Sequence, residues 1–237
     1  MLQIEHLTKT YGEKKAVDDL SLHILPGEIY GFIGHNGAGK TTTLKSVAGI
    51  LRFDAGEIRI GGTSIRTDPL ACKRKLAYIP DNPDLYDYMT GIQYLNFIAN
   101  IFGVSAADRQ VRIRELAERF ELTNDLAQPI AAYSHGMKQK LANISAWLHA
   151  PQLVVMDEPF VGLDPKAAHL LKGMMRELCD RGGAIFFSTH VLEVAEKLCD
   201  KVAILRAGKL IRSGTMDEVK GDDSLEEVFL ELEGETC

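Results

Sequence analysis

The chain has 237 residues, with 27 Lys and Arg against 33 Asp and Glu, a formal net charge of −6. A composition that is 46% hydrophobic and 25% charged is that of an ordinary soluble globular protein, and it excludes disordered and collagen-like classes. The acidic balance argues against nucleic acid as a partner, because sequence-independent binding there depends on neutralising phosphates with Lys and Arg.

Four cysteines, Cys72, Cys179, Cys199 and Cys237, form no C-x-x-C pair, so neither a zinc ribbon nor a thioredoxin-like site is written. The start, MLQIEHLTKTYG, lacks a basic stretch followed by an apolar run, which predicts a cytoplasmic chain with reduced thiols.

Strands come first. LQIEHL, LSLHI, EIYGFIG and EIRIGG alternate or run apolar between turn residues. Gly61-Gly62 predicts a hairpin turn. A helix is expected after Gly39, in KTTTLKSVAGI, then a strand LAYIP ending at Pro80. Residues 84–149 read as helices. Tyr88–Ala107 carries no charge over 20 positions, long enough to span a bilayer. Thr90, Gln93, Asn96, Asn100 and Ser105 interrupt it, while Ile92, Leu95, Ile98 and Ile101/Phe102 recur at helical spacing. That pattern predicts an amphipathic helix.

In RQVRIRELAERFE, Ile113, Leu116 and Phe120 share one face, with Glu115 and Arg119 placed as a surface i,i+4 pair. From 152 onward, QLVVM, a helix from about 165, AIFFSTH, a short helix and KVAILR alternate. Alternation of this kind predicts a parallel sheet covered by helices. Over 223–233, Leu225, Val228, Phe229 and Leu232 share one side of an amphipathic closing helix. The chain reads as one α/β domain, 1–237, with a helical insertion at about 84–149.

The strongest chemical signal is Gly34-His35-Asn36-Gly37-Ala38-Gly39-Lys40-Thr41, which fits G-x-x-x-x-G-K-S/T between a predicted strand and a predicted helix. Glycines let the backbone wrap phosphates, and the N–H groups at a helix start hold negative charge. Lys40 would reach the β- and γ-phosphates and the Thr41 hydroxyl would bind Mg²⁺. Thr42 completes the nucleotide-binding set. In LVVMDE, Asp157 and Glu158 emerge from an apolar strand, where phosphate-loop enzymes place an acidic residue for Mg²⁺. Glu158 is then placed to polarise an attacking water.

His190 closes AIFFSTH and reads either as a structural residue or as a ligand group at the sheet edge. Tyr11 reads either as packing or as a base-stacking aromatic. Ser134 is a good helix N-cap and, beside Gly136, a possible second anion site.

Taken in order, these segments resemble the ATP-binding subunits of ABC transporters over essentially the whole chain. The resemblance implies a P-loop NTPase core with a mostly parallel sheet, an N-terminal antiparallel β subdomain and a helical insertion subdomain. Tyr11 matches the aromatic that stacks on adenine, GHNGAGKT the phosphate loop, and Glu158 the catalytic glutamate. His190 matches the histidine that contacts the γ-phosphate, and Asp164 an aspartate at the dimer interface. The segment YSHGM matches the family's L-S-G-G-Q at Ser134 and Gly136, and departs from it at Tyr133, His135 and Met137. Asp81 stands where the family has a glutamine that senses Mg²⁺.

The implied mechanism uses ATP and Mg²⁺. Two subunits, identical or related, pair head to tail, so that Ser134 and Gly136 of one close over ATP held by the other. The implied partner is a separately encoded integral-membrane permease, most like the export-type permeases. The chain would then sit peripherally on the inner face of the cell membrane. The alternative reading is a soluble ABC-type ATPase not tied to transport. The helix near Met89 would face the permease or pack the insertion's own core.

Overall fold

Two sheets organise the chain, which a computed structural model describes over residues 1–234. The first is antiparallel, in the order β2-β1-β4-β5. It contains β1 (Leu2–Tyr11), β2 (Lys14–Ile24), β4 (Ala55–Ile60) and β5 (Thr63–Ser64). The expected turn joins β4 to β5 at Gly61-Gly62, both at positive φ (54° and 78°), as a two-residue hairpin of the primed type demands.

The second sheet has six strands in the order β10-β9-β3-β8-β7-β6. It contains β3 (Ile29–Ile33), β6 (Leu76–Ile79), β7 (Leu153–Asp157), β8 (Ala184–Thr189), β9 (Lys201–Arg206) and β10 (Lys209–Thr215). Every pairing in it is parallel except that of β10 on β9.

All positions of β3, β7 and β8 are buried, as expected of parallel strands covered on both faces. The period-two alternation sorts their side chains between two cores. Tyr30, Phe32, Val155 and Phe186 point to one side, against the antiparallel sheet and Leu44 and Val47 of α1 (Lys40–Val47). Ile29, Ile33, Val154, Met156, Ile185 and Phe187 point to the other, toward the remaining helices. Residues 29–33, 153–157 and 184–189 therefore end side by side at one sheet edge. The ends of parallel strands are where open α/β sheets bind ligands.

The remaining helices are α2 (Pro69–Lys75), α3 (Gly91–Ile101), α4 (Ala106–Arg119), α5 (His135–Trp147), α6 (Pro165–Asp180), α7 (Leu192–Leu198), α8 (Met216–Lys220) and α9 (Leu225–Gly234). The uncharged stretch is not one helix. Thr90 and Gln93 form a capping box that starts α3, and Gly103 at φ 67° lies past its end. Ser105 then caps α4. Leu95 and Ala99 are the buried residues of the α3 stripe, and Ile101 is exposed, which corrects the expected apolar face. No helix among the described residues is long and apolar enough to cross a membrane.

In α4, Ile113 and Leu116 are buried as expected, as is Phe120 at its cap. The expected Glu115–Arg119 pair is not made: Arg119 reaches across to Glu177 of α6 instead (2.8 Å). A bidentate carboxylate on a neighbouring helix offers two parallel hydrogen bonds, which the same-helix glutamate does not provide here.

His149, just past α5, ties these helices to the sheet. Its ring stacks on Phe102 (centroids 3.7 Å apart, 11° between planes), and its Nε2 lies 3.0 Å from the Leu76 carbonyl. A carbonyl only accepts, so Nε2 carries the proton, while the buried Nδ1 has no partner among the described residues. Burial holds the pKa of His149 below the ordinary 6.5. The unfolded chain therefore takes up a proton that the native state refuses. Stability falls as pH drops below about 6.5 toward the lower native value. Denaturant titrations between neutral and mildly acidic pH should show this slope in the wild type and a shallower one in His149→Gln. Identical slopes would mean that His149 does not contribute.

Candidate nucleotide site

The loop between β3 and α1 is built from close approaches that only glycine permits. A Cβ on Gly39, at φ 108°, would lie 2.3 Å from the Ala16 carbonyl oxygen, and one on Gly34 would lie 2.6 Å from that of Leu205. The loop is thus wedged between the start of β2 and the end of β9, and the Gly208 N–H donates to the Ala38 carbonyl (3.0 Å). Lys40 opens α1. Its ammonium donates to the Gly34 carbonyl and to that of His35 (3.2 Å), and lies 3.9 Å from Glu158 Oε1. Burial lowers the pKa of Lys40, partly offset by the nearby Glu158 and Asp157 carboxylates.

Asp157, at the end of β7, is 3% exposed. Thr41 Oγ1 donates to one of its carboxylate oxygens (2.6 Å) and Ser188 Oγ to the other (2.5 Å). Glu158 follows with a left-handed backbone, φ 47°. Its N–H donates to Ser188 Oγ (3.1 Å) and the Ser188 carbonyl (3.2 Å), which anchors that uncommon conformation. The Glu158 side chain turns toward His190, whose Nδ1 is 3.0 Å from Oε2.

A cleft of about 330 Å³ opens onto Lys40, Thr41, Asp157 and Glu158, while Gly34, Ala38 and His190 do not line it. Tyr11, His35, Asn36, Gly37, Gly39, Lys40, Thr41, Thr42, Asp81, Asp157 and Glu158 all line it. Tyr11 ends β1, half-exposed beside a hairpin at Gly12. Ala16 of β2 lines the cleft without any signal in the sequence. Lys14, across the hairpin from Tyr11, also lines the cleft. Ser188 was legible in principle: a serine inside an apolar strand must find a partner when buried.

Ser134, Gly136 and Asp164 do not line this cleft. Ser134 caps α5, accepting from the Met137 N–H. Asp164 caps α6, accepting from the Ala167 N–H (2.8 Å) and pairing with Lys140 of α5 (2.8 Å). The hydrogen bond from Lys140 and that from Ala167 hold the Asp164 carboxyl below its usual range. The two segments are also in steric contact. A Cβ on Gly162, at φ 78°, would lie 2.3 Å from His135 Cδ2, and one on Gly136 would lie 2.9 Å from the Gly162 carbonyl oxygen.

Residues 17–161 match the ABC transporter family. This chain belongs to the ATP-binding subunits of ABC transporters. Over 98% of its length it is 34% identical to the ABC-type transporter ATP-binding protein EcsA of Bacillus subtilis, covering 96% of that protein. It is 37% identical to the Nod factor export ATP-binding protein I of Paraburkholderia xenovorans, over 90% of this chain and 70% of that one. A solved ATP-binding subunit of an ABC transporter superposes with a TM-score of 0.94 at 36% identity, covering 98% of this chain and 99% of the other. A dimeric ATP-binding cassette in a post-hydrolysis state, bound to ADP and Pi, shares the fold at 23% identity (TM-score 0.83; 91% and 99% covered).

Members of the ABC family are ATPases, and this chain is one of them. The ABC cassette geometry makes Ser188 a support for two acidic groups at once. Ser188→Ala should destabilise the folded chain by about 1–3 kcal/mol, because a buried acceptor and a buried N–H each lose a partner. Denaturant unfolding checks this, and a change below about 0.5 kcal/mol would show that the bonds contribute nothing.

Proposed function

We propose that the chain binds ATP in the cleft between the phosphate loop and Asp157 and hydrolyses it as one half of a paired clamp. The observation that carries this reading is the convergence of Lys40, Thr41, Asp157 and Glu158 on one cleft, with His190 held against Glu158 beside it. Loop N–H groups and Lys40 would hold the phosphates, and Tyr11 at the rim would stack on adenine.

Thr41 Oγ1 and the Asp157 carboxylate, 2.6 Å apart and both oxygen donors, suit a hard divalent cation, with Asp81 as a further oxygen nearby. Mg²⁺ bound there would neutralise phosphate charge. Glu158 is placed to polarise the attacking water, and His190, held on Glu158, to contact the γ-phosphate.

The second half of the clamp comes from a second ATP-binding subunit, identical or related. Ser134 and Gly136, remote from the chain's own cleft, would close over ATP on the partner, with Asp164 at the interface. The dimeric ADP-bound cassette of the same fold supports such pairing. Closure would be a ligand-driven shift between two global states, passed on to a membrane permease.

Just past Asp81, Tyr86 packs against Tyr88, Tyr94 and Phe97, and Tyr88 is 80% exposed. An exposed aromatic cluster of this kind is the face offered to that permease. The Nod factor export relative supports export as the direction, and attachment to a permease would hold the chain on the inner face of the cell membrane.

Glu158→Gln should lower phosphate release from Mg-ATP by about 10²–10⁴-fold while nucleotide still binds. On a sizing column with ATP it should elute as a dimer. A monomeric mutant under saturating ATP would overturn the paired clamp. Adding Ser134→Arg to that chain should return it to a monomer without weakening ATP binding. Lys40→Ala should abolish tight ATP binding, and unchanged affinity would overturn the phosphate-loop assignment.

A further inference from the structure

The closing helix α9 does more than cover a core. At its start, the Leu225 N–H donates to Glu196 of α7 (3.4 Å), and Glu196 also pairs with Lys220 (3.0 Å). In its middle, the Phe229 ring lies 5.0 Å from the His35 imidazole, tilted by 55°. At its end, the Leu232 carbonyl accepts from the Arg206 guanidinium. Arg206 precedes the Ala207-Gly208 turn, whose Gly208 N–H is the donor to Ala38. One helix thus touches the phosphate loop directly at His35 and, through Arg206, sits beside the turn that supports the loop's far side. Through α7 it also meets the segment that follows His190.

We propose that Phe229 is a positioning residue for the phosphate loop: its ring holds His35, so the affinity for nucleotide is set in part by the carboxyl-terminal helix. The physical reason is conformational entropy. Close approaches pin the loop at Gly34 and Gly39, but its exposed stretch 35–37 contains Gly37, at φ 83° with no atom within 4 Å of where a Cβ would lie, and that is where backbone freedom remains. A loop that must be ordered on binding loses affinity by the cost of ordering, and a neighbour that orders it beforehand restores that affinity. His35 is an exposed side chain in the loop's first half, and Phe229 is 8% exposed, so the fixed partner is the helix. Asp157 ends β7, Glu158 follows it, and both are bonded to Ser188 of β8. Loss of the ring contact therefore acts on binding and leaves the chemical step in place.

This inference rests on the assignment of 34–41 as the phosphate loop, and the test keeps the two apart. Mg-ATP affinity and kcat are measured for the full-length wild type, Lys40→Ala, Phe229→Leu, Leu225→Ala, His35→Ala and the Phe229→Leu/His35→Ala double variant. Phe229→Leu keeps an apolar side chain in the core but loses the aromatic face. It should weaken ATP binding about three- to tenfold, the span expected for one aromatic pair, with kcat little changed. Leu225→Ala removes apolar contact at α9's other end and should keep wild-type affinity. His35→Ala should weaken binding to a similar degree, and the double variant should be no worse than either single one.

Unchanged affinity in Phe229→Leu, equal loss in Leu225→Ala, or additive losses in the double variant would each overturn the role of Phe229. Wild-type affinity in Lys40→Ala would instead remove the loop assignment beneath it. Should Phe229→Leu fold poorly, His35→Ala carries the test from the exposed side: wild-type affinity there overturns the proposal.

Discussion

Both oxygens of the Asp157 carboxylate are taken, one by Thr41 and the other by Ser188, and the three residues belong to three separate elements. A carboxylate that is 3% exposed is tolerated only where hydrogen bonds replace the water it gave up. The bonds therefore pin α1, β7 and β8 to a common edge. They also explain why β8, otherwise apolar, carries Ser188 facing β7, in register with Asp157. From that fixed point the neighbouring geometry follows. The Glu158 backbone is turned into the left-handed region and bonded to Ser188, so its side chain meets His190 on one side and Lys40 on the other.

A second constraint joins the site to the helical segment. His135 of α5 lies over Gly162, the Gly162 carbonyl lies against Gly136, and Lys140 of the same helix holds Asp164. The segment that follows Glu158 is thus held at both ends, by Ser188 at its start and by α5 at its finish. A bulky imidazole is accommodated at 135 because residue 162 has no side chain. Motion of α5 would be felt at Asp164 through a short, stiff path rather than through the sheet.

Much of this was legible beforehand because the signals were local. The phosphate loop is a contiguous string, and the fully apolar strands before Gly34 and Asp157 identify themselves by composition. The helix cap at Ser134 lies in a single short segment. What the sequence hid depends on distance along the chain. Ser188 bonds a residue 31 positions away, and Lys14 reaches the cleft through a hairpin register. Arg119 meets Glu177 across 58 positions in preference to its own helical neighbour. The expected apolar face of α3 holds at Ile92 and Leu95 and fails only at Ile101, which falls in the last turn before Gly103 and is exposed. Phe229 was visible as a core residue of a closing helix, but not as the neighbour of His35.

The most direct measurement is the effect of Mg²⁺ on ATP affinity, compared between the wild type and Asp157→Asn. The Thr41–Asp157 pair predicts that Mg²⁺ strengthens ATP binding in the wild type. It also predicts that the variant loses about tenfold or more of that enhancement, because a charged oxygen ligand becomes a neutral one. An undiminished Mg²⁺ enhancement in Asp157→Asn would contradict the placement of nucleotide and cation at this edge of the sheet.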